Sequence, residues 1–202
     1  YFDRFRLVEG QQVPSGQRGM LINQKFADTR LKIVAARLFD DLHDARKEGL
    51  TIKGTAELES KARRLATQSG AIGLALDTSA AEKIEGKLRG IFPQEKGDLD
   101  VLLRALLDVD DENFDTHHRF FYEELGPHIQ LYPFEIGDIV TLRTYNRRGY
   151  TKAMNVKVYG TFTFRGLERS DLSGAANLVD MMTFRDLYGQ MSDEQRAELN
   201  AI

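Results

Sequence analysis

A change of hydrophobic period constrains this chain more than any other feature of it. Near both ends apolar residues alternate in steps of two, as in half-buried strands, and between them they recur every three or four, as on one face of a helix. In "YFDRFRLVEG", Phe5 and Leu7 fall on one side and Arg4, Arg6 and Val8 on the other, predicting a strand. Pro14, Ser15, Gly16 and Gly19 then punctuate a turn before the short apolar strand "MLIN". These two strands are expected to form the first sheet element.

From Gln24 the spacing becomes helical. Leu31, Ala35, Leu38, Leu42 and Ala45 share one face of a helix that Gly49 ends as a left-handed cap. A second helix follows from Thr55 with Leu58, Ala62, Leu65 and Ala66, and the Leu31–Leu38–Leu42 face is expected to be core. In "SGAIGLALD" the glycines predict a break, and Ser79 with Glu82 has the spacing of a capping box. Further helices carry Leu99, Leu102, Leu103 and Leu106, then Phe114, His118, Phe121 and Leu125. After Ile129 the strand pattern returns: "HIQLYPF" ended by Pro133, then "DIVTLRTY", a turn "NRRG" closed by Gly149, and "AMNVKVYGTFTF". Gly160 inside the last of these predicts a bulge or a close backbone approach. "NLVDM" is a last short strand, Thr183 caps a short helix, and Ser192 with Gln195 opens a terminal one.

The chain has 202 residues, enough for one sizeable core or a core plus a smaller appendage. Its 28 basic and 31 acidic residues leave a net charge of −3, without the positive field that phosphate-backbone binding needs, so nucleic acid is not an expected partner. The absence of cysteine removes disulfides and thiolate metal sites from consideration. No apolar run approaches the ~20 residues that span a bilayer. Beginning at Tyr1, inside a strand-like segment, the sequence is expected to be a piece of a longer protein, and any membrane segment would lie outside the piece.

Catalytic signatures are sparse. In "DVDDENFDTHH", Asp111, Asp115, His117 and His118 are weak candidates for a divalent-metal site, but the segment lacks the glycine of an EF-hand loop and no HExxH occurs. A solvated acidic loop leading into a helix with His118 on its apolar side is the expectation, and a metal-dependent enzyme is the minor alternative. The glycine-bearing stretches have neither the Walker lysine nor the strand–GxGxxG–helix context of a nucleotide site, and no GxSxG elbow is present. No cofactor and no catalytic residue are therefore expected. Ile91 and Phe92, at a tip bounded by Pro93 and Gly97, are a candidate partner-contact pair if they do not pack back on their own helices.

Two stretches resemble a known family. "EIGDIVTLRTYN" and "MNVKVYGTFTFRGLERSDLSGAANLVDMMTFRDLYG" are similar to the extracytoplasmic core domain of FtsX-like/MacB-like ABC transporter permeases, through Gly137, Asp138, Val140 and Leu142, then Val158, Gly160 and Phe162, then Leu187, Tyr188 and Gly189. Upstream, Glu9, Gly10, Leu21, Ile22, Asn23 and Ala27 match an "EGR…VLIN…A" pattern, with Gln11 where arginine is usual. The helical middle has no counterpart in the resemblance.

The resemblance implies an α+β domain whose N- and C-terminal segments form one mixed sheet, with a helical insertion between them. Residues 1–49 and 126–202 would be the core, and 50–125 the insert. It also implies a non-catalytic periplasmic domain of an inner-membrane permease, carrying ATP-driven motion outward for export or mechanotransmission. Its partners would be transmembrane helices of its own chain, a cytoplasmic ABC ATPase subunit, a second permease subunit, and a periplasmic protein or a lipid or lipoprotein substrate. The alternative from another class is a free-standing α+β module whose helical insert recognises a ligand or protein.

Overall fold

A computed structural model describes residues 5–145, 151–167 and 170–188, apart from the side chains of residues 171 and 172. The expected turn at 146–149, Gly189 and the Ser192–Gln195 capping box lie outside the described residues. The fold is α+β, with a mixed, open five-stranded sheet and eight α-helices among the described residues. The chain divides into two compact units, Tyr1–Leu31 with Phe134–Ile202, and Lys32–Pro133.

The first unit is built on β4, Thr151–Phe164. β1 (Phe5–Gly10) and β3 (Ile139–Tyr145) both run antiparallel to it, and β2 (Gly19–Asn23) runs parallel to it and continues to β5 (Leu178–Val179). Lys157 pairs with both Ile139 and Gly19, so β3 lies on the edge of β4 opposite β2, the same edge that β1 takes further along. β1 and β2 therefore do not pair with each other as the sequence suggested; each finds its partner in β4, far along the chain.

Leu21, Tyr159 and Phe162 form a buried cluster with Phe5, Leu7, Val13, Phe164 and Leu178 against it. Phe162 meets Phe5 and Phe164 edge-on. α8, Met181–Tyr188, packs on β4 and buries Thr183 and Leu187. Its cap is Asp180 rather than Thr183: one carboxylate oxygen accepts the Thr183 N–H at 2.9 Å, the other the Gly19 N–H at 2.8 Å. Burial works against this carboxylate's charge, but the Thr183 hydroxyl and the N–H groups of Thr183, Gly19 and Met182 hold its pKa below the usual range.

The second unit is helical: α2 (Val34–Lys47), α3 (Ala56–Ala66), α4 (Ser69–Ala75), α5 (Thr78–Ile91), α6 (Leu99–Leu107) and α7 (Phe114–Phe120). Its core contains Phe39, Leu42, Leu65, Ile84, Leu88, Leu102, Leu103, Leu106, Phe114 and Phe121, all fully buried. α2 stops as expected, with Gly49 at φ +84° and the Leu50 N–H reaching back to the Ala45 carbonyl.

The single helix expected from Gln24 is interrupted. α1 (Gln24–Phe26) runs into a π-turn at Ala27–Leu31, the chain then breaks, and α2 packs in the helical core. The units consequently change over after Leu31 and Pro133, rather than at the expected 49/50 and 125/126. Leu31 is left outside the helical core, whereas Leu38 and Leu42 join it.

"SGAIGLA" is a helix after all. It packs against α6 and buries Ile72, and that burial outweighs the low helix propensity of its glycines. α5 is capped by Asp77, whose carboxylate accepts the Ala80 N–H at 2.8 Å, two residues before the start of the expected Ser79–Glu82 box. "HIQLYPF" is not a strand: Ile129 drops into the helical core, and the Leu131 carbonyl accepts the Ile33 N–H at 2.9 Å. That last bond ties the entering and leaving segments of the helical unit together at its root. An insertion with adjoining ends costs its host little closure entropy.

Replacing Lys32–Pro133 with a short Gly/Ser linker is expected to leave a sheet unit that unfolds cooperatively in urea. Loss of a cooperative transition would show that the two units share one core.

Candidate functional site

Six residues of the pattern, Glu9, Gly10, Gly137, Asp138, Val158 and Gly160, meet at the stretch of β4 from Lys157 to Thr161. Along one edge the chain ends of β1 and β3 meet. The Gln11 N–H donates to the Tyr159 carbonyl at 2.9 Å, the Gly137 N–H to the Val158 carbonyl at 2.8 Å, and the Val158 N–H to the Asp138 carbonyl at 2.8 Å. Along the other edge lies β2. Both pairings slip one residue here, β2 passing over Tyr159 and β4 passing over Val8, which is the bulge that Gly160 predicted. The slip lets Tyr159 and Phe162 reach the same cluster, where strict alternation would send them to opposite faces.

Glycine is required at this crowding point for steric reasons. A Cβ on Gly160 would collide with the Glu9 carbonyl oxygen, and one on Gly10 with the Tyr159 carbonyl oxygen and, at 2.7 Å, the Gly160 Cα. Gly10 is also in the left-handed region at φ +80°, as is Gly137 at +108°. Gly19 lies flat on the Tyr159 ring, whose hydroxyl donates to Gln17 Oε1 and whose face lies 5.5 Å from Lys157 Nζ. Glu9 pairs with Thr161 and stays exposed. Asp138 accepts the Glu135 N–H at 2.8 Å and shapes the turn that starts β3. Leu187 is buried on α8. An open cleft of about 310 Å³ remains at the junction, lined by Gly10, Gln11, Ile136, Gly137, Lys157 and Tyr159.

Asn23, at the end of β2, is a second node. Fully buried, it caps α1 by accepting the Phe26 N–H at 3.3 Å, its side-chain amide donates to the Ser173 carbonyl at 2.6 Å, and its backbone N–H donates to Asn177 Oδ1 at 2.8 Å. Sequence reasoning placed Asn23 in the motif but did not find its role. It missed Tyr159 and Asp180 as well; the D-x-x-T spacing at Asp180 carried a cap signal, while nothing marked the tyrosine.

The acidic–histidine segment belongs to the helical unit and is committed to folding it. Asp111 takes Arg46 at 3.0 Å and the N–H groups of Ile52 at 2.7 Å and Lys53 at 3.0 Å, which outweigh its burial and hold its carboxyl below the usual range. Asp110, held low chiefly by the N–H groups of Asn113 and Glu112, opens the turn into α7. Asp115 is exposed, with Arg46 at 3.5 Å. Among the described residues no three His, Asp or Glu side chains gather as a ligand set.

His118 lies against the core phenylalanines Phe39 and Phe114, as expected, and His117 faces the core as well. His117 is buried beside Phe92, its ring hydrogen-bonds the Leu106 carbonyl, and its Nδ1 has no partner among the described residues. Burial pushes its pKa down against that bond and the nearby Asp110 and Asp108. His118 is half-buried and stacked on His43 at 4.4 Å, and burial, then His43, push it down too. At the tip, Ile91 is 39% exposed, whereas Phe92 packs on the helical core, so the expected contact pair divides.

No family model matches the chain, and neither a curated protein nor a solved structure does. Among the described residues no helix is long and apolar enough to cross a membrane.

Two outcomes follow from this geometry. Gly160→Ala is expected to destabilise the sheet unit by about 1–3 kcal/mol in urea unfolding, while Gly86→Ala, in open space on α5, should stabilise the helical unit by up to ~1 kcal/mol; equal effects would remove the steric argument. For a histidine whose folded pKa is depressed, the stabilisation is present above the unfolded value of 6.5 and is lost as pH falls below it through the folded value. The helical unit should therefore weaken as pH falls below the unfolded value of 6.5. Replacing His117 and His118 with Gln should remove most of that slope; a flat wild-type profile would contradict the assignment.

Proposed function

We propose that this chain is a non-catalytic extracytoplasmic domain of an ABC transporter permease of the FtsX-like/MacB-like kind. In that setting transmembrane helices of its own chain, moved by a cytoplasmic ATPase subunit, displace the sheet unit, and the domain passes the motion to a periplasmic protein or to a lipid or lipoprotein substrate. The observation that carries this proposal is the convergence of Glu9, Gly10, Gly137, Asp138, Val158 and Gly160 on one stretch of β4, the first two from more than a hundred positions away in sequence. At Gly10 and Gly160 the backbones approach with no room for a Cβ, which suits a part that must move as a rigid body, since a close-packed element transmits displacement rather than absorbing it. The described side chains at that convergence are tied into turns, caps and packing, a pattern that favours a mechanical part over a reactive one.

A free-standing binding module is the second reading, and one observation favours it. The helical unit has a cleft of about 280 Å³ lined almost wholly by apolar groups, including Ile33, Val34, Ala71, Ile72 and Ile129, a size near the lower end for ligand pockets.

A topology reporter separates the two. Alkaline phosphatase fused after Val109 in the parent reading frame is expected to be active in intact cells, because the enzyme matures only outside the cytoplasm. Loss of the flanking membrane segments should abolish that activity. A parent frame without apolar segments of ~20 residues on either side, or an inactive fusion, would overturn the permease proposal and leave the free-standing module.

A further inference from the structure

The sheet has three strands with an outer edge among the described residues, and they differ in how that edge is guarded. β1 carries Arg6 and Glu9 and slips register at Val8, and β5 is only two residues long. Charges, bulges and brevity are the ordinary means of keeping an edge from pairing with another chain. β3 has none of them apart from Arg143: it is seven residues, Ile-Val-Thr-Leu-Arg-Thr-Tyr, with no proline, no glycine and an unslipped register against β4 from Ile139 to Tyr145.

β3 is also symmetric about its centre. Ile139 and Tyr145 are the two most exposed large apolar residues of the sheet unit, at 71% and 73%, and they stand on the same face, three positions either side of Leu142. In an antiparallel pair of β3 strands related by a two-fold axis at Leu142, Ile139 of each copy faces Tyr145 of the other. Val140 faces Thr144, and Thr141 faces Arg143. Both large apolar groups are covered twice over by the kind of aromatic–β-branched pair that stabilises sheets. The strand's one charge meets a threonine rather than its own copy, so no like charges oppose each other. A two-fold axis also makes the contact closed rather than fibre-forming.

We propose that the outer edge of β3 is the pairing surface for a second copy of this chain, joining two five-stranded sheets into one. The inference does not rest on the permease proposal and survives its failure. An edge of this length supports a weak, concentration-dependent dimer in solution. Anchoring both copies in one membrane would raise the local concentration and populate it further.

Sedimentation velocity on the full chain tests the pairing, with circular dichroism melting to check that each variant folds. The wild type should shift from monomer to dimer as concentration rises. Ile139→Lys/Tyr145→Lys sets ammonium against ammonium in the proposed register and should remain monomeric throughout. Ile139→Lys/Tyr145→Asp sets opposite charges together at the same places and should still dimerise, now with a strong salt dependence. Should a variant fail to fold, hydrogen exchange on the wild type decides instead: β3 amides should gain protection with concentration while β1 amides do not. A wild type that stays monomeric, or a dimer that the double lysine variant leaves intact, would overturn the proposal.

Discussion

An interior strand must satisfy N–H and C=O groups on both of its edges, because water cannot reach them there. β4 meets this demand with partners from three separate places in the sequence. β2 lies along one edge, and β3 and then β1 along the other, while the bonds from Gln11, Gly137 and Asp138 close the short gap where the last two meet. The positions of the motif glycines, the burial of Tyr159 and the cap at Asp180 follow from bringing these segments side by side. Where three backbones crowd one strand, side chains must vanish, and Gly10, Gly19 and Gly160 are the result.

The helical unit obeys a different logic. Its core is made from its own leucines and phenylalanines, and its ends are joined by the bond from Ile33 to Leu131. Such a unit can be carried between two strands of a sheet without disturbing their pairing, since what its host requires is only that its ends stay close. The polar residues that looked most like chemistry, from Asp110 to His118, serve this unit by closing turns, pairing with Arg46 and lining its core.

Local structure was legible wherever the signal was local. Alternation found β1, β3 and β4, the spacing of leucines found α2, α3 and α6, and Gly49 marked its helix end. Non-local choices were not legible: nothing in "MLIN" reveals that it pairs with β4 in parallel rather than with β1, because register across so many residues leaves no trace in either segment. Gly70 and Gly73 misled for a related reason. Glycine weakens a helix by about 1 kcal/mol per residue, and α4 forms in spite of its two glycines because packing against α6 buries its apolar side. "HIQLYPF" has strand composition, but burial of Ile129 against helices decided otherwise. His118 was legible from its spacing with Phe114 and Phe121, whereas burial of its neighbour His117 beside Phe92 was not, since Phe92 lies on another segment. The glycines of the motif were legible as positions, and their cause was not, since the colliding atoms belong to residues elsewhere in the chain.

Nuclear Overhauser contacts between β2 and β4 test most directly whether the two ends of the chain share one sheet. Parallel pairing requires cross-peaks that climb in step, from Gly19 with Lys157 and Met20 with Val158 to Asn23 with Phe162, and a one-residue jump at Tyr159. Cross-peaks between β1 and β2 in place of these, or none linking Met20–Asn23 to β4, would contradict the shared sheet and everything inferred from it.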